Sequence, residues 1–135
     1  MFTTKIAIVV RQDLAVWQKL NVAAFVASGI AAAVPDCIGE PYIDATGRSY
    51  ARMAGQPILV FAGDLPQLQK AHRAALERDL TVVPYIEAMF ATGHDAANRA
   101  VFRESNPESH HWAGLALYGE RKAVDKAVKG LSLHP

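Results

Sequence analysis

Apolar residues run unbroken over 6–10, between Lys5 and Arg11. A polar break at Arg11, Gln12 and Asp13 then leads into a long stretch in which apolar positions recur every three or four residues. A short β-branched run followed by helical spacing predicts a strand over 5–10 and a helix reaching to Pro35, with Asp13 as its N-cap. Trp17, Leu20, Ala24, Ala27 and Ala31 share one stripe of that helix, yet Val22, Phe25, Val26 and Ile30 make its other side apolar too. A helix that is apolar all round must be covered on two sides. Its alanines let it lie close to a sheet, and its outer face is left for a second helix or a second subunit, so a homodimer is an expected partner arrangement.

Residues 35–56 have no sustained period and are rich in Pro, Gly, Asp and Tyr. An excursion of that length reads as functional or as a packed lid. Tyr42, Asp44, Arg48 and Tyr50 alternate aromatic and charged groups along it, which fits either a lid over the rim of a sheet or a turn at 44–49 with packed tyrosines.

The continuous apolar run 57–62 predicts a buried strand, and Gly63 and Asp64 supply a turn and an N-cap with Gln67 at the capping-box position. The helix that follows runs to about 79, with Leu65, Leu68, Ala75 and Leu76 inward and Lys70, Arg73, Glu77 and Arg78 outward. A third strand over 81–86 contains Pro84, which cannot donate to a ladder and so predicts an edge or a bulge. Residues 87–90 can turn helically before a polar segment over 92–107; a fourth strand covers 112–118, and a last helix over 120–129 closes on Gly130. The order β-α-β-α-β-β-α predicts one three-layer α/β domain over 1–135. Its sheet is expected to have about four strands, mixed but largely parallel, with helices on both faces and an antiparallel pairing between the last two strands.

With 135 residues, 51% of them apolar and 20% charged, the chain has a globular composition and enough length for one core. Lys and Arg number 14 against 13 acids, so no bulk positive field draws in phosphates, which argues against tRNA as a partner. Cys37 stands alone. It can form no internal disulfide and no multi-Cys zinc site, and suits a reducing, cytoplasmic setting as a partly buried loop thiol. The apolar stretch over 20–34 is interrupted by Asn21, Ser28 and Gly29 and is too short to span a bilayer, and 6–10 is too short for a signal-peptide core.

Two clusters carry candidate chemistry. Arg11, Asp13, Gln18, Lys19 and Asn21 lie where the first strand meets the first helix, and ligands of open α/β sheets bind at the carboxyl ends of strands. Asn21 falls on the apolar stripe, so its amide needs partners in the core or on a ligand. Thr92, His94, Asp95, Asn98 and Arg99 form the second cluster, in which an imidazole beside a carboxylate offers a general base. The structural alternative there makes Asp95 the cap of a helix, with Asn98 and Arg99 on its first turn. Glu87, at the end of the third strand, would join Lys19 at the same rim if the third strand lay near the first. His110 and His111 are adjacent and point to opposite faces of a strand, so they cannot chelate together, and no metal site is expected. No phosphate-binding glycine loop and no Gly-x-Ser-x-Gly elbow occurs, and no cofactor is implied.

The opening KIAIVVRQDLAVWQKLNVAAFVASGIA and the close GLALYGERKAVDKAVKGLSLHP resemble the two ends of type II peptidyl-tRNA hydrolases. The strings WQKLNVAAF, GEPYIDATGRSY and FATGHDAANR look like those of an uncharacterised bacterial family with that fold. The hydrolase resemblance implies peptidyl-tRNA cleavage through a Lys and a Gln on the first helix and an Asp-Ala-Gly-x-Thr turn after the third strand. Here Lys19 lies one residue before the lysine position, Ala24 holds the glutamine position, and the turn is Glu87-Ala88-Met89-Phe90-Ala91-Thr92.

Three functional readings follow. The first is a hydrolase-like protein acting on a small or peptide-related substrate: Lys19 would stabilise oxyanion charge, Asn21 would orient a carbonyl, and Glu87 or His94 with Asp95 would manage protons. Arg11, Asp13, Gln18, Thr92, Asn98 and Arg99 would bind the substrate. The second is a non-catalytic ligand-binding or interaction module that dimerises through the first helix. The third is a retained peptidyl-tRNA hydrolase, with Arg121, Lys122, Lys126 and Lys129 as a basic patch beside the pocket. Converging titratable groups of shifted pKa would mark a catalyst, whereas an apolar groove with uncharged polar contacts would mark a binding module.

Overall fold

Alternate residues of the first strand, β1 (Thr4–Arg11), feed two different cores. Ala7 and Val9 face one side of the sheet and Ile6, Ile8 and Val10 the other, all at 2% exposure or less. A strand buried on both faces reads as a continuous apolar run, which is why periodicity is invisible over 6–10. The computed structural model describes residues 2–135.

The other elements are α1 (Val16–Ala33), β2 (Tyr42–Ile43), β3 (Ser49–Tyr50), β4 (Ile58–Gly63), α2 (Leu65–Glu77), β5 (Thr81–Ile86), α3 (Asp95–Arg103), β6 (Trp112–Glu120), α4 (Arg121–Ala127) and β7 (Ser132–Leu133). The main sheet has five strands in the order β5-β6-β1-β4-β7, so the chain forms a single mixed α/β domain. Helix α1 packs on one face over Ile6, Ile8 and Val10; α2 and α4 pack on the other over Ala7 and Val9.

The expectation of a largely parallel sheet is corrected. Only β1 and β4 run parallel, joined through α1, while β6 inserts between β1 and β5 antiparallel to both. The polar segment between β5 and β6 contains α3, and this connection returns the chain to the sheet reversed. A fifth strand, β7, pairs antiparallel with β4 through Phe61–Leu133 and Ala62–Ser132. Two residues are too few to give a strand period. Pro84 lies on the edge strand β5 as expected, one residue before a register shift at Tyr85 and Ile86.

Local signals explain most helix limits. Asp64 accepts from the Gln67 amide at 2.9 Å while the Gln67 side chain accepts from the Asp64 N–H at 2.8 Å, a reciprocal box that starts α2. Asp13 does not cap α1; it is drawn to Arg11, and Gln18 instead accepts from the Ala15 N–H at 3.0 Å. Gly29 and Gly114 let α1 settle onto the sheet: an added Cβ would come 2.4 Å from Val83 Cγ1 and 2.5 Å from Val22 Cγ1 respectively.

The excursion before β4 is a hairpin arm in place of a lid. Ile38 bridges Ala54, the Gly39 N–H donates to the Met53 carbonyl at 2.8 Å, and Gly55 donates to Cys37 at 2.7 Å. Beyond this root every residue from Glu40 to Met53 is exposed. The arm follows the end of α1 and precedes the start of β4, which places it at the opposite end of the sheet from the carboxyl ends of β1 and β4. Tyr42 and Tyr50, 51% and 52% exposed, are cross-strand partners rather than packed side chains. No helix among the described residues is long and apolar enough to cross a membrane.

Candidate functional site

Trp17, Asn21 and Phe25 recur at four-residue steps and so lie along one side of α1. Opposite them stand Tyr85 from the end of β5, Met89 and Phe90 from the 3-10 turn that follows, and Thr92, His94, Asp95 and Asn98 at the start of α3. Together they bound an open cleft of about 290 Å³. A second hollow of about 440 Å³ continues from it between α1 and α3 over Val83, Pro84 and Phe102.

Aromatic contacts build the walls. Trp17 meets Phe90 edge-on at 5.8 Å between ring centroids, Phe90 tilts against Tyr85 at 5.2 Å, and Tyr85 against Phe25 at 5.9 Å. The Asn21 amide donates to the Tyr85 phenolic oxygen at 3.5 Å. Burial, partly offset by that bond, pushes the Tyr85 hydroxyl above its ordinary pKa, so it stays a neutral donor. The Thr92 hydroxyl donates to the Met89 carbonyl at 2.9 Å and is hydrogen-bonded to the Asn98 side chain.

The two members of the histidine–carboxylate pair point to different tasks. His94, not Asp95, caps α3: its Nδ1 accepts from the Ala97 N–H at 3.2 Å. Asp95 forms an ion pair with Arg99 one turn along, and both side chains are exposed. Arg99 thus borders the second hollow already paired.

Arg11 ends β1 and is 11% exposed at its side chain. It donates to Asp13 at 2.6 Å, to Glu87 at 3.0 Å and to the Trp112 carbonyl at 3.0 Å. Burial works against its charge, but the bonds to Asp13 and Glu87 outweigh it and raise the pKa further. With two carboxylates on one guanidinium, this group is closed on itself. Glu87 therefore reaches the end of β1 through Arg11, whereas the expected convergence was with Lys19.

Lys19 goes elsewhere. Two residues from Asn21 on a helix is a turn of about 200°, and Lys19 borders a crevice of about 310 Å³ with Gln12, Gln67, Ser132 and His134, at the carboxyl ends of β1 and β4. Gln18 is spent on the start of α1. Among the described residues no three His, Cys, Asp or Glu side chains gather to hold a metal. Sequence reading passed over the walls Trp17, Phe25, Tyr85, Met89 and Phe90 as site residues; the four-residue spacing of Trp17, Asn21 and Phe25 is a signal for the α1 wall, and no local pattern points to the other three.

The fold and cleft define a mixed α/β domain with an aromatic-walled hollow beside its first helix. Over residues 4–135 the chain matches the family model described as Protein of unknown function (DUF2000), and it belongs to that family. It is also similar to a solved structure of a protein of unknown function from Agrobacterium tumefaciens strain C58, with 55% sequence identity, 100% of each chain covered and a TM-score of 0.97. Comparison with curated proteins gives no match.

Proposed function

We propose that this chain is a cytoplasmic, non-catalytic module that binds a small, flat, mostly apolar molecule bearing a carbonyl or amide edge in the cleft between α1 and α3. The observation that carries this reading is the chemistry of the lining. Aromatic and thioether walls surround the Asn21 and Asn98 amides, the Tyr85 phenol and the Thr92 hydroxyl. Such a lining favours ring stacking and neutral hydrogen bonds. The same module self-associates through the outer face of α1, where Val16, Trp17 and Leu20 are 72%, 62% and 66% exposed.

A hydrolase would need Lys19, Asn21 and a free base around one substrate. Lys19 borders a different crevice, Glu87 is held by Arg11, and the His94 Nδ1 is occupied by the Ala97 N–H. The order of elements at both ends of the chain supports a scaffold related to type II peptidyl-tRNA hydrolases. Arg121, Lys122, Lys126 and Lys129 lie on or just after α4, across the sheet from α1, which weighs against tRNA at the cleft.

The test is titration of the protein with indole-3-acetamide and nicotinamide, read by isothermal titration calorimetry. Probes of this size should bind with a Kd on the order of 100 µM. Asn21→Leu should abolish the response while Lys19→Ala leaves it unchanged. Binding lost in Lys19→Ala and kept in Asn21→Leu would move the site to the other crevice and overturn the reading.

A further inference from the structure

We propose that two copies of this chain pack their α1 helices antiparallel about a two-fold axis at Ala24, with each hairpin arm reaching the start of the other copy's α1. The inference rests on the reading of the outer α1 face as a self-association surface and adds its geometry. Val16, Leu20, Ala24, Ser28 and Ala32 form one row at four-residue steps, and all five are exposed. None carries charge, and side-chain size falls along the row from Val and Leu to Ala and Ser.

That taper has a self-complementary solution. Rows at i±4 spacing are the ridges by which helices commonly pack. In a two-fold interface, residue i of one copy meets residue j of the other and j meets i. With the axis at Ala24, close to the middle of α1, Leu20 faces Ser28 of the second copy, while Val16 and Ala32, each turned about 80° from Ala24, lie at the edges of the contact. Large therefore meets small on either side of the axis, and the two Ala24 residues let the backbones approach. A parallel arrangement would set large against large at one end and leave a gap at the other.

The arm supplies the second, independent observation. Strands β2 and β3 pair only with each other, and a two-stranded hairpin is marginal in water without a surface to lie on. Its tip is nevertheless organised from within: Asp44 accepts from the Thr46 hydroxyl and N–H, the Arg48 N–H and the Tyr50 hydroxyl. These bonds, the Thr46 hydroxyl first, hold the Asp44 carboxyl down at about 2. Tyr42, Ile43, Tyr50 and Met53 remain 51–68% exposed. The arm is rooted beside the end of α1, which in an antiparallel pair is where the second copy's Val16 and Trp17 arrive. Glu40 and Asp44 are balanced by Arg48 and Arg52, so the arm brings no net charge to an uncharged face.

The area is sufficient. The exposed parts of Val16, Trp17 and Leu20, with Met53 and the one arm face that carries Ile43, amount to roughly 600 Å² per copy, the low end of what each partner of a specific interface contributes.

Sedimentation equilibrium on the full chain, with Ala24→Cys, Ala24→Arg and Ile43→Arg variants, tests the proposal. Both positions are exposed, so all three variants keep the fold. The expected result is a dimer in the parent chain, a monomer in Ala24→Arg, and a dimer dissociation constant raised about tenfold or more in Ile43→Arg. Mild oxidation should link Ala24→Cys into a covalent dimer, whereas the parent chain, whose single Cys37 is buried, stays unlinked. A parent chain that remains monomeric overturns both self-association and this geometry. A dimer that persists in Ala24→Arg and does not cross-link at Ala24→Cys leaves self-association standing and overturns the two-fold at Ala24. An unchanged constant in Ile43→Arg removes the arm from the interface.

Discussion

Arg11 and Glu87 join at 3.0 Å although β1, which ends on Arg11, and β5, which Glu87 directly follows, are not neighbours; β6 runs between them. The guanidinium reaches across the end of β6, taking the Trp112 carbonyl on the way at 3.0 Å. Three strand ends are thereby tied at the rim where α1 begins and where the turn carrying Met89 and Phe90 leaves the sheet.

Arg11→Ala should cost about 2 kcal/mol of folding stability, because it removes charge-assisted bonds from a nearly buried side chain and leaves a carbonyl unpaired. Glu87→Gln should cost about 0.5 kcal/mol or less, since Glu87 is half exposed and its ion pair is screened. Urea unfolding curves of the two variants check the order. Equal losses would mean that Glu87 is held more tightly than its exposure indicates.

The residues that announce themselves in sequence are those whose role is settled by near neighbours. Asp64 with Gln67, Gly130 at φ 91° after α4, and the limits of β5 were legible for that reason. What depends on distant pairing was not. Nothing in 112–118 says that β6 enters between β1 and β5, because both faces of that strand are buried and either direction satisfies the pattern. The candidate site divided along the same line. Asn21 was singled out from its place on an apolar stripe and does line the cleft, whereas Lys19, two residues away, was grouped with it by sequence nearness and faces another crevice. Asp13 and Asp95 both read as caps, and both were instead claimed by arginines, Arg11 and Arg99.

Acid should weaken the fold below about pH 6.5. His72 and His110 are buried side by side against Trp112, with ring centroids 4.9 Å from the indole in each case and Phe102 stacked on His110 at 5.0 Å. Burial, the leading cause, pushes both below the usual 6.5; His110 and Arg73 add to the effect at His72. The unfolded chain therefore takes up protons at a higher pH than the folded one. Stability is complete above 6.5 and is lost as pH falls through the depressed values. Melting temperatures measured from about pH 7.5 to 5.5 should fall in the parent chain and fall less in His72→Phe. An equal slope in the two would assign the acid sensitivity to other groups.

Asp64→Ala should destabilise by about 1 kcal/mol, the ordinary cost of a lost N-cap, since the Gln67 N–H then has no side-chain acceptor. Asp13→Ala at the start of α1 should cost less, because Asp13 is 71% exposed and caps nothing. Thermal unfolding of the pair measures the contrast, and an equal loss would restore Asp13 as a helix-starting residue.

Gly29→Ala sets two effects against each other. Alanine improves a helix interior by about 1 kcal/mol over glycine. Here, however, the new methyl would stand 2.4 Å from Val83 Cγ1, well inside contact distance, and overpacking of this kind costs about 1–3 kcal/mol. The steric term should win, giving a net loss of about 1 kcal/mol. Gly29→Ala combined with Val83→Ala should then be more stable than Val83→Ala alone, because the added methyl fills the space that valine vacated, with a coupling of about 1 kcal/mol or more in the cycle. Both residues also border the hollow that extends the cleft, so α1 displaced by the single Gly29→Ala change should weaken the calorimetric response to indole-3-acetamide, and the double variant should recover it. A Gly29→Ala protein more stable than its parent would mean that α1 shifts without cost, and the cleft width would then not be set by this contact.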